Sequence, residues 1–261
     1  MKPRRTEGGL QTTAISLRLV ELLVELEGAT LGRLAEEADL AKSTVHNHLS
    51  TLSQYGYVTR EQNTYHVGLK HYHIGDYARK RNDAFGIAKE LVPELADETQ
   101  LEVDFTVEEN GRIVSLYDES TYSATPSYLV DGRLFHVHST ASGKAILSEY
   151  ADERVRDIIN RWGLPQQTDN TITSVEALLT ELDTVREQGY ATNHEEAIEG
   201  MWAVSQIVTG PNGEVAGSLN VCGPTYVYSE EREAEIVDAL SEKVEAFENR
   251  LADMYPSGER R

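Results

Sequence analysis

The chain's 261 residues suffice for two compact domains of roughly 80 and 170 residues, and 39% hydrophobic with 26% charged residues excludes a wholly disordered chain. No apolar run approaches the roughly eighteen residues of a membrane span, no secretory core follows the start, and the single Cys222 excludes an intramolecular disulfide or a multi-cysteine zinc ribbon, so a cytoplasmic protein without membrane partners is expected. The formal charge of -20 is uneven: residues 1–82 carry 11 Lys and Arg against 9 Asp and Glu (+2), and the rest carry 13 against 35 (-22).

Those acids are scattered among apolar residues rather than gathered in a tail, and only seven of the 24 basic residues are lysines. This pattern implies a densely solvated folded surface adapted to very high salt, and therefore a halophilic source.

Residues 1–11 are polar and read as a disordered lead. From Thr13, the apolar positions Ala14, Leu17, Val20, Leu22, Leu23 and Leu26 recur at helical spacing until Gly28 supplies a stop. Thr30 is expected to cap a short second helix bearing Leu31, Leu34, Ala35 and Ala38. Asp39 to Ala41 form a turn, and a third helix runs from Lys42 to Gln54. Tyr57 to Arg60 and Thr64 to Val67 then flank a polar turn as a two-stranded hairpin. Three helices followed by a hairpin is the order of a winged helix-turn-helix.

Leu69 to Arg81 reads as a connecting helix and Asp83 to Thr99 as another, with the domain boundary between them. The domains are therefore expected at 12–80 and 84–254. Strands are expected at Leu101 to Val107 and Arg112 to Tyr117, with Glu108 to Gly111 as their loop. Helices at Ala141 to Tyr150, Glu153 to Trp162 and Ser174 to Gln188 follow, then strands at Val204 to Thr209 and Glu214 to Val221. A final helix over Glu230 to Asp253 aligns Ile236, Leu240, Val244, Phe247 and Leu251 on one stripe. The fold class is α+β, an antiparallel sheet with flanking helices behind the winged helix.

In the third helix, Val45, Leu49 and Leu52 share one face, leaving Ser43, Asn47 and Ser50 opposite. A helix about 11 Å across enters the major groove, where Asn47 can pair bidentately with adenine and Ser43, Thr44 and His46 act as secondary readers. Arg33, Lys42, Arg60 and the amides at the helix start are candidate phosphate contacts. A domain charge of only +2 supplies little affinity through counterion release, so base contacts and dimerisation carry more of the binding.

Leu40-Ala41-Lys42-Ser43-Thr44-Val45-His46 and Gly56-Tyr57-Val58 resemble the winged helix of the IclR (isocitrate lyase regulator) family of transcription factors. His138-Ser139-Thr140-Ala141-Ser142-Gly143-Lys144-Ala145 is similar to that family's signature loop and helix. Asn170-Thr171-Ile172-Thr173, Arg186-Glu187-Gln188-Gly189-Tyr190-Ala191, Glu195-Glu196, Gly200 and Asn220-Val221-Cys222-Gly223-Pro224 follow in the family's order, so the resemblance spans residues 13–252. With the acidic surface, it implies an IclR-type regulator from a halophilic archaeon.

The resemblance further implies a linker helix and a GAF-like effector domain that binds an organic acid, a sugar-derived compound or an aromatic metabolite. A homodimer or homotetramer on a palindromic operator in double-stranded DNA, controlling catabolic genes, is the expected assembly. By the same resemblance, Thr140, Ala141, Ser142, Asn193, Ala203, Asn220 and Cys222 line the ligand pocket. The chain departs from the family at Asn47, where arginine is usual. It departs again at Ala203 and Asn193, where glyoxylate- and pyruvate-responsive members carry a thiol and a carboxylate. The alternative is a ligand-independent DNA-binding protein or co-regulator whose second domain serves assembly only.

Rival chemistries are weaker. Gly143-Lys144 resembles the end of a phosphate-binding P-loop, but His138 stands where the first glycine belongs and Ala145 replaces the magnesium-binding hydroxyl. Lys144 is therefore expected to pack or pair at the domain surface, and Glu195-Glu196 to be a loop and surface pair. Ser142, His138 and Glu195 lack a nucleophile elbow, so no enzyme and no cofactor are expected. His136, His138, His194 and Cys222 have no metal-ligand spacing, and whether they meet as a zinc site is left to the fold.

Overall fold

The computed structural model describes residues 9–82, 84–121 and 132–254. Of the lead expected over residues 1–11, residues 1–8 lie outside the described residues, as does the helix start expected at Asp83, and Gln11 already belongs to the first helix. The chain divides into two compact units between Arg81 and Asn82.

In the first unit, α1 (Gln11–Glu25), α2 (Leu31–Glu37) and α3 (Lys42–Gln54) pack around Leu19, Leu22, Leu23, Leu34, Val45 and Leu49, closed from below by Val58 and Tyr65. Full burial of each such side chain contributes about 1.5–3 kcal/mol, which fixes the three helices to one another. The Thr30 hydroxyl accepts the Arg33 amide at 3.3 Å and so caps α2. Ser16 on α1 and His48 on α3 are hydrogen-bonded at 2.8 Å.

The wing differs from the expected hairpin by one strand. Two residues, β1 (Ala29–Thr30), pair with β3 (Thr64–Val67), which pairs in turn with β2 (Val58–Glu61), giving the order β1-β3-β2. A two-residue strand has no alternation to read, so its existence depends on β3 lying beside it. Then α4 (Lys70–Lys80) follows with no buried residue of its own, and Leu69, Tyr72 and Tyr77 are exposed.

The second unit opens with α5 (Ala84–Thr99) and is built on a six-stranded antiparallel sheet. Its strands are β4 (Glu102–Glu109), β5 (Arg112–Ser120), β6 (Leu134–His136), β7 (Ala191–His194), β8 (Met201–Thr209) and β9 (Val215–Pro224), in the order β6-β5-β4-β9-β8-β7. The long last helix α9 (Glu230–Met254) joins α5 on one sheet face, where Val103, Phe105, Trp202, Val204, Leu219 and Val221 meet Leu91, Leu95, Leu240 and Phe247. Phe105 and Phe247 stack with ring centres 5.2 Å apart. On the other face lie α6 (Ala141–Ser148), α7 (Asp152–Trp162) and α8 (Val175–Gln188), whose Ile146, Leu147, Val155, Ile159, Leu178 and Leu182 cluster with Ile113 of β5.

The short edge strands β6 and β7 were not expected from the sequence, and β4 runs two residues further than its alternation suggested. The four-residue loop expected at Glu108 to Gly111 is in fact a two-residue turn, Asn110-Gly111, with φ of +56° and +81°. Positive φ at both central positions marks the turn whose twist matches a tight hairpin. Among the described residues, no helix is long and apolar enough to cross a membrane.

Candidate functional site

The burial of α3 follows its periodicity. Val45 and Leu49 are buried, while Lys42, Ser43, His46 and Asn47 are exposed and Thr44 is half-buried. Ala41 caps the helix without a side-chain acceptor, so the first amides of α3 keep their capacity to meet an anion. His46 and Arg60 share a surface cleft with Thr30, Gly32 and Asn63, which brings the helix and the wing to one site. Arg60 is braced there: its Nε donates to the Gln62 carbonyl at 2.8 Å and its guanidinium to Asn63 Oδ1 at 3.1 Å. Arg33, the other expected phosphate contact, is already engaged by Glu37 at 2.5 Å and Glu36 at 3.6 Å, so a phosphate has to compete with two carboxylates.

The second unit contains an internal cavity on the sheet face that α6 covers. Thr140, Ala141, Ser142, Asn193, Ala203, Asn220 and Cys222 all line it, joined by Asp104, Thr106, Ile113, Phe135, Ile198 and Met201. The strand register explains the meeting. Asp104 sits opposite Asn220, Asn220 opposite Ser205, Cys222 opposite Ala203 and Ala203 opposite Asn193, so three cross-strand steps carry the floor from β4 to β7. Because side chains alternate along a strand, Val103, Phe105, Leu219 and Val221 point to the apolar face while Asp104, Thr106, Asn220 and Cys222 point to the cavity, with Ser218 on their side of the sheet.

This floor is polar and shielded from bulk solvent. Asn220 Nδ2 donates to Asp104 Oδ1 at 2.8 Å, and the Thr106 and Ser218 hydroxyls are bonded at 2.9 Å. Burial pushes the Asp104 carboxyl up to about 7, against the Asn220 hydrogen bond, which favours the charged form. Burial likewise pushes the Cys222 thiol well above its ordinary range. Asp104 and Thr106 were missed in the sequence, where Leu101 to Val107 reads only as a strand.

The cavity wall is held by bonds that engage its own candidates. Asn193 Nδ2 donates to the Ser139 carbonyl at 2.7 Å, and its Oδ1 accepts the Glu196 amide at 2.9 Å, so Asn193 works as a brace between two loops. The Thr140 hydroxyl accepts the Gly143 amide at 3.1 Å and caps α6. A Cβ on Gly143 would lie 2.1 Å from the Val137 carbonyl oxygen, so only glycine lets α6 seat this closely.

Lys144 and Glu196 lie deeper than their sequence suggests. Lys144 is buried rather than superficial, its ammonium donating to Glu196 at 2.6 Å and Glu181 at 2.8 Å. Glu196 is likewise buried, and Thr168 and Thr171 donate hydroxyl bonds to the carbonyls behind it. Burial raises the Glu196 carboxyl while Lys144 opposes the shift. Charged side chains are buried in this way when partners reach them from distant segments, which a local reading does not see.

The histidines do not converge with Cys222. His136 and His138 contact each other edge to face, both driven down to about 4 chiefly by burial, whereas His194 is exposed beside Glu233 and Tyr228. Among the described residues, no group of three or more His, Cys, Asp or Glu side chains is arranged to hold a metal ion.

Comparison with known proteins agrees for both units. The IclR helix-turn-helix domain matches residues 12–62, and the C-terminal domain of bacterial IclR transcriptional regulators matches residues 77–249. A probable HTH-type transcriptional regulator ArcR from Halobacterium salinarum is 31% identical over 255 residues, covering 96% of this chain and 95% of its own. The HTH-type transcriptional regulator KdgR of Escherichia coli is 31% identical over 224 residues, covering 85% of each chain. Among solved structures, an IclR transcriptional regulator from Alicyclobacillus acidocaldarius superposes with a TM-score of 0.77 at 25% identity, covering 92% of this chain and 98% of that one. These relatives are transcriptional regulators rather than enzymes. A helix-turn-helix that leads into a helix-flanked antiparallel sheet, matched in both parts by the same family, leaves one conclusion: the chain belongs to the IclR family of transcriptional regulators, with a DNA-binding domain followed by an effector domain.

Proposed function

We propose that the chain is a cytoplasmic, metabolite-responsive regulator that reads a palindromic operator as a homodimer or homotetramer and controls catabolic genes. The observation that carries this reading is the pairing, in one chain, of an exposed polar recognition helix with a separate buried cavity lined by polar groups. Asn47, Ser43, Thr44 and His46 read base edges, while Lys42, Arg60, Arg33 and the α3 amides contact phosphates. One helix reads one half-site, and two-fold symmetry supplies the second.

The effector occupies the cavity between the start of α6 and the floor formed by Asp104, Asn220 and Cys222. The opening of α6 suits a carboxylate, because the first amides of a helix have no intrahelical acceptor and its dipole favours negative charge there. The ligand regulates by binding more tightly to one arrangement of the oligomer than to another. Genome-wide DNA occupancy in the native host tests the reading, followed by DNA affinity with and without the metabolites handled by the neighbouring genes. Occupancy without sequence preference, or DNA affinity indifferent to every such metabolite, overturns it.

A further inference from the structure

The cavity gives the centre of a water molecule about 60 Å³ of room, space for roughly four waters and so for a small ligand. Its floor carries a buried acceptor that lacks a partner, while the unpartnered donor Trp202 Nε1 belongs to a side chain packed in the apolar core of the other sheet face. The Asn220 amide donates to Asp104 Oδ1, and that bond fixes which end of the amide is which. Asn220 Oδ1 is then left buried without a hydrogen-bond partner, on a residue that lines the cavity. Beside it stands the Asp104 carboxylate, and no Lys, Arg or His is among the described lining residues. A simple oxo acid brings only acceptors, so its carbonyl meets two more acceptors at this floor and leaves both unsatisfied. An ammonium group brings three donors and a compensating charge. At the other end, Ala141 and Ser142 bring the start of α6, and Ile113, Phe135, Ile198 and Met201 supply apolar walls.

We propose, resting on the effector reading above, that this cavity takes a small apolar α-amino acid, with its ammonium group on Asp104 and Asn220 Oδ1 and its carboxylate at the start of α6. The raised carboxyl of Asp104 accords with this, since a buried acid without a cation is the group a ligand ammonium neutralises. Because the contact is buried, salt does not screen it as it screens surface charge.

Calorimetric titration of the full chain in molar potassium chloride at pH 8 tests the assignment with two matched series. One is L-alanine, L-lactate and pyruvate; the other is L-valine and its 2-hydroxy and 2-oxo counterparts. Within at least one series the amino acid binds roughly tenfold or more tighter than the oxo acid, with the hydroxy acid between them, as a charge-assisted hydrogen bond implies. Asp104→Asn collapses that ratio toward unity, and Asn220→Ala, which removes the second acceptor, reduces it independently. The ratio in the unaltered chain already decides the matter if either variant fails to fold. Equal or tighter binding of the oxo acid, or failure of all six compounds to bind, overturns the proposal. A chain that ignores all six yet changes its DNA affinity with another metabolite keeps the regulator reading and loses this assignment. One that binds the amino acid without any change in DNA affinity keeps the assignment and loses the sensing half of that reading.

Discussion

In the N-terminal unit, Ser43, His46 and Asn47 stand exposed on α3, whereas in the C-terminal unit Asp104, Ser142, Asn193 and Asn220 are each 8% exposed or less. On the function proposed above, the first set meets a partner too large to enclose, and water satisfies those groups until a duplex replaces it. The second set is withdrawn from bulk solvent, so each polar atom there depends on a protein partner or on whatever enters the cavity. Charge follows the same division: +2 in the N-terminal unit against -22 in the C-terminal unit. Exposed chemistry tolerates approximate pairing, and buried chemistry does not.

Substitutions on the buried side should therefore have the larger effects. Lys144→Met strands Glu196 without its buried counter-ion and should destabilise the C-terminal unit by about 3–5 kcal/mol. Calorimetric unfolding checks this; the C-terminal transition should fall while the N-terminal one is unmoved, and Lys144→Met with Glu196→Met should recover much of the loss.

Asp104 gives a smaller, pH-dependent effect. Its folded value of about 7 lies above the ordinary 3.8, so the folded state binds the extra proton between about pH 4 and 7. The associated stability is fully present below that window, falls as pH rises through it, and stays constant above it. Glu102 on the same strand, Asp118 on β5 and the Asn220 amide on β9 face the group, the two acids raising it and the amide lowering it. The Asp104→Asn chain should therefore gain stability relative to the unaltered chain as pH climbs from 4 to 7, with no further gain beyond. Parallel melting curves across pH measure this, and a gap independent of pH contradicts it.

On the exposed side, Asn47→Ala should leave the fold intact and reduce discrimination at one base pair by about 1–3 kcal/mol, read by binding to a panel of single-base operator variants. Arg60→Ala should have the smallest effect on selectivity. It should weaken binding to every sequence alike and lower the salt dependence by about one counterion. A selective loss from Arg60→Ala, or a uniform one from Asn47→Ala, would exchange their roles.

The same contrast explains what was legible in the sequence. Exposed and buried positions on α3 follow from a period of 3.6, because one side of that helix faces water. The strand Glu102-Val103-Asp104-Phe105-Thr106 alternates just as regularly, yet both of its faces are buried. Alternation records that two faces differ, not whether the polar one looks at solvent or into a cavity. The seven cavity residues named from family resemblance do share one cavity, whereas Asp104, which brings the only charge to it among the described lining residues, had no motif to mark it. Lys144 and Glu196 were misread for a related reason: they are 52 positions apart, and nothing near either one announces the other. The strands β1, β6 and β7 span two to four residues, below the length at which any period is readable.

The seating of α6 on the Val137 backbone through Gly143 divides the cavity into a frame and an adjustable part. Main-chain atoms fix the frame, so mutation has little purchase on it without dislodging the helix. On the effector reading proposed above, variation that re-targets the cavity is expected at the strand positions below, among them 104, 106, 220 and 222. Libraries built to retune such a chain as a biosensor should diversify those four sites and leave position 143 untouched.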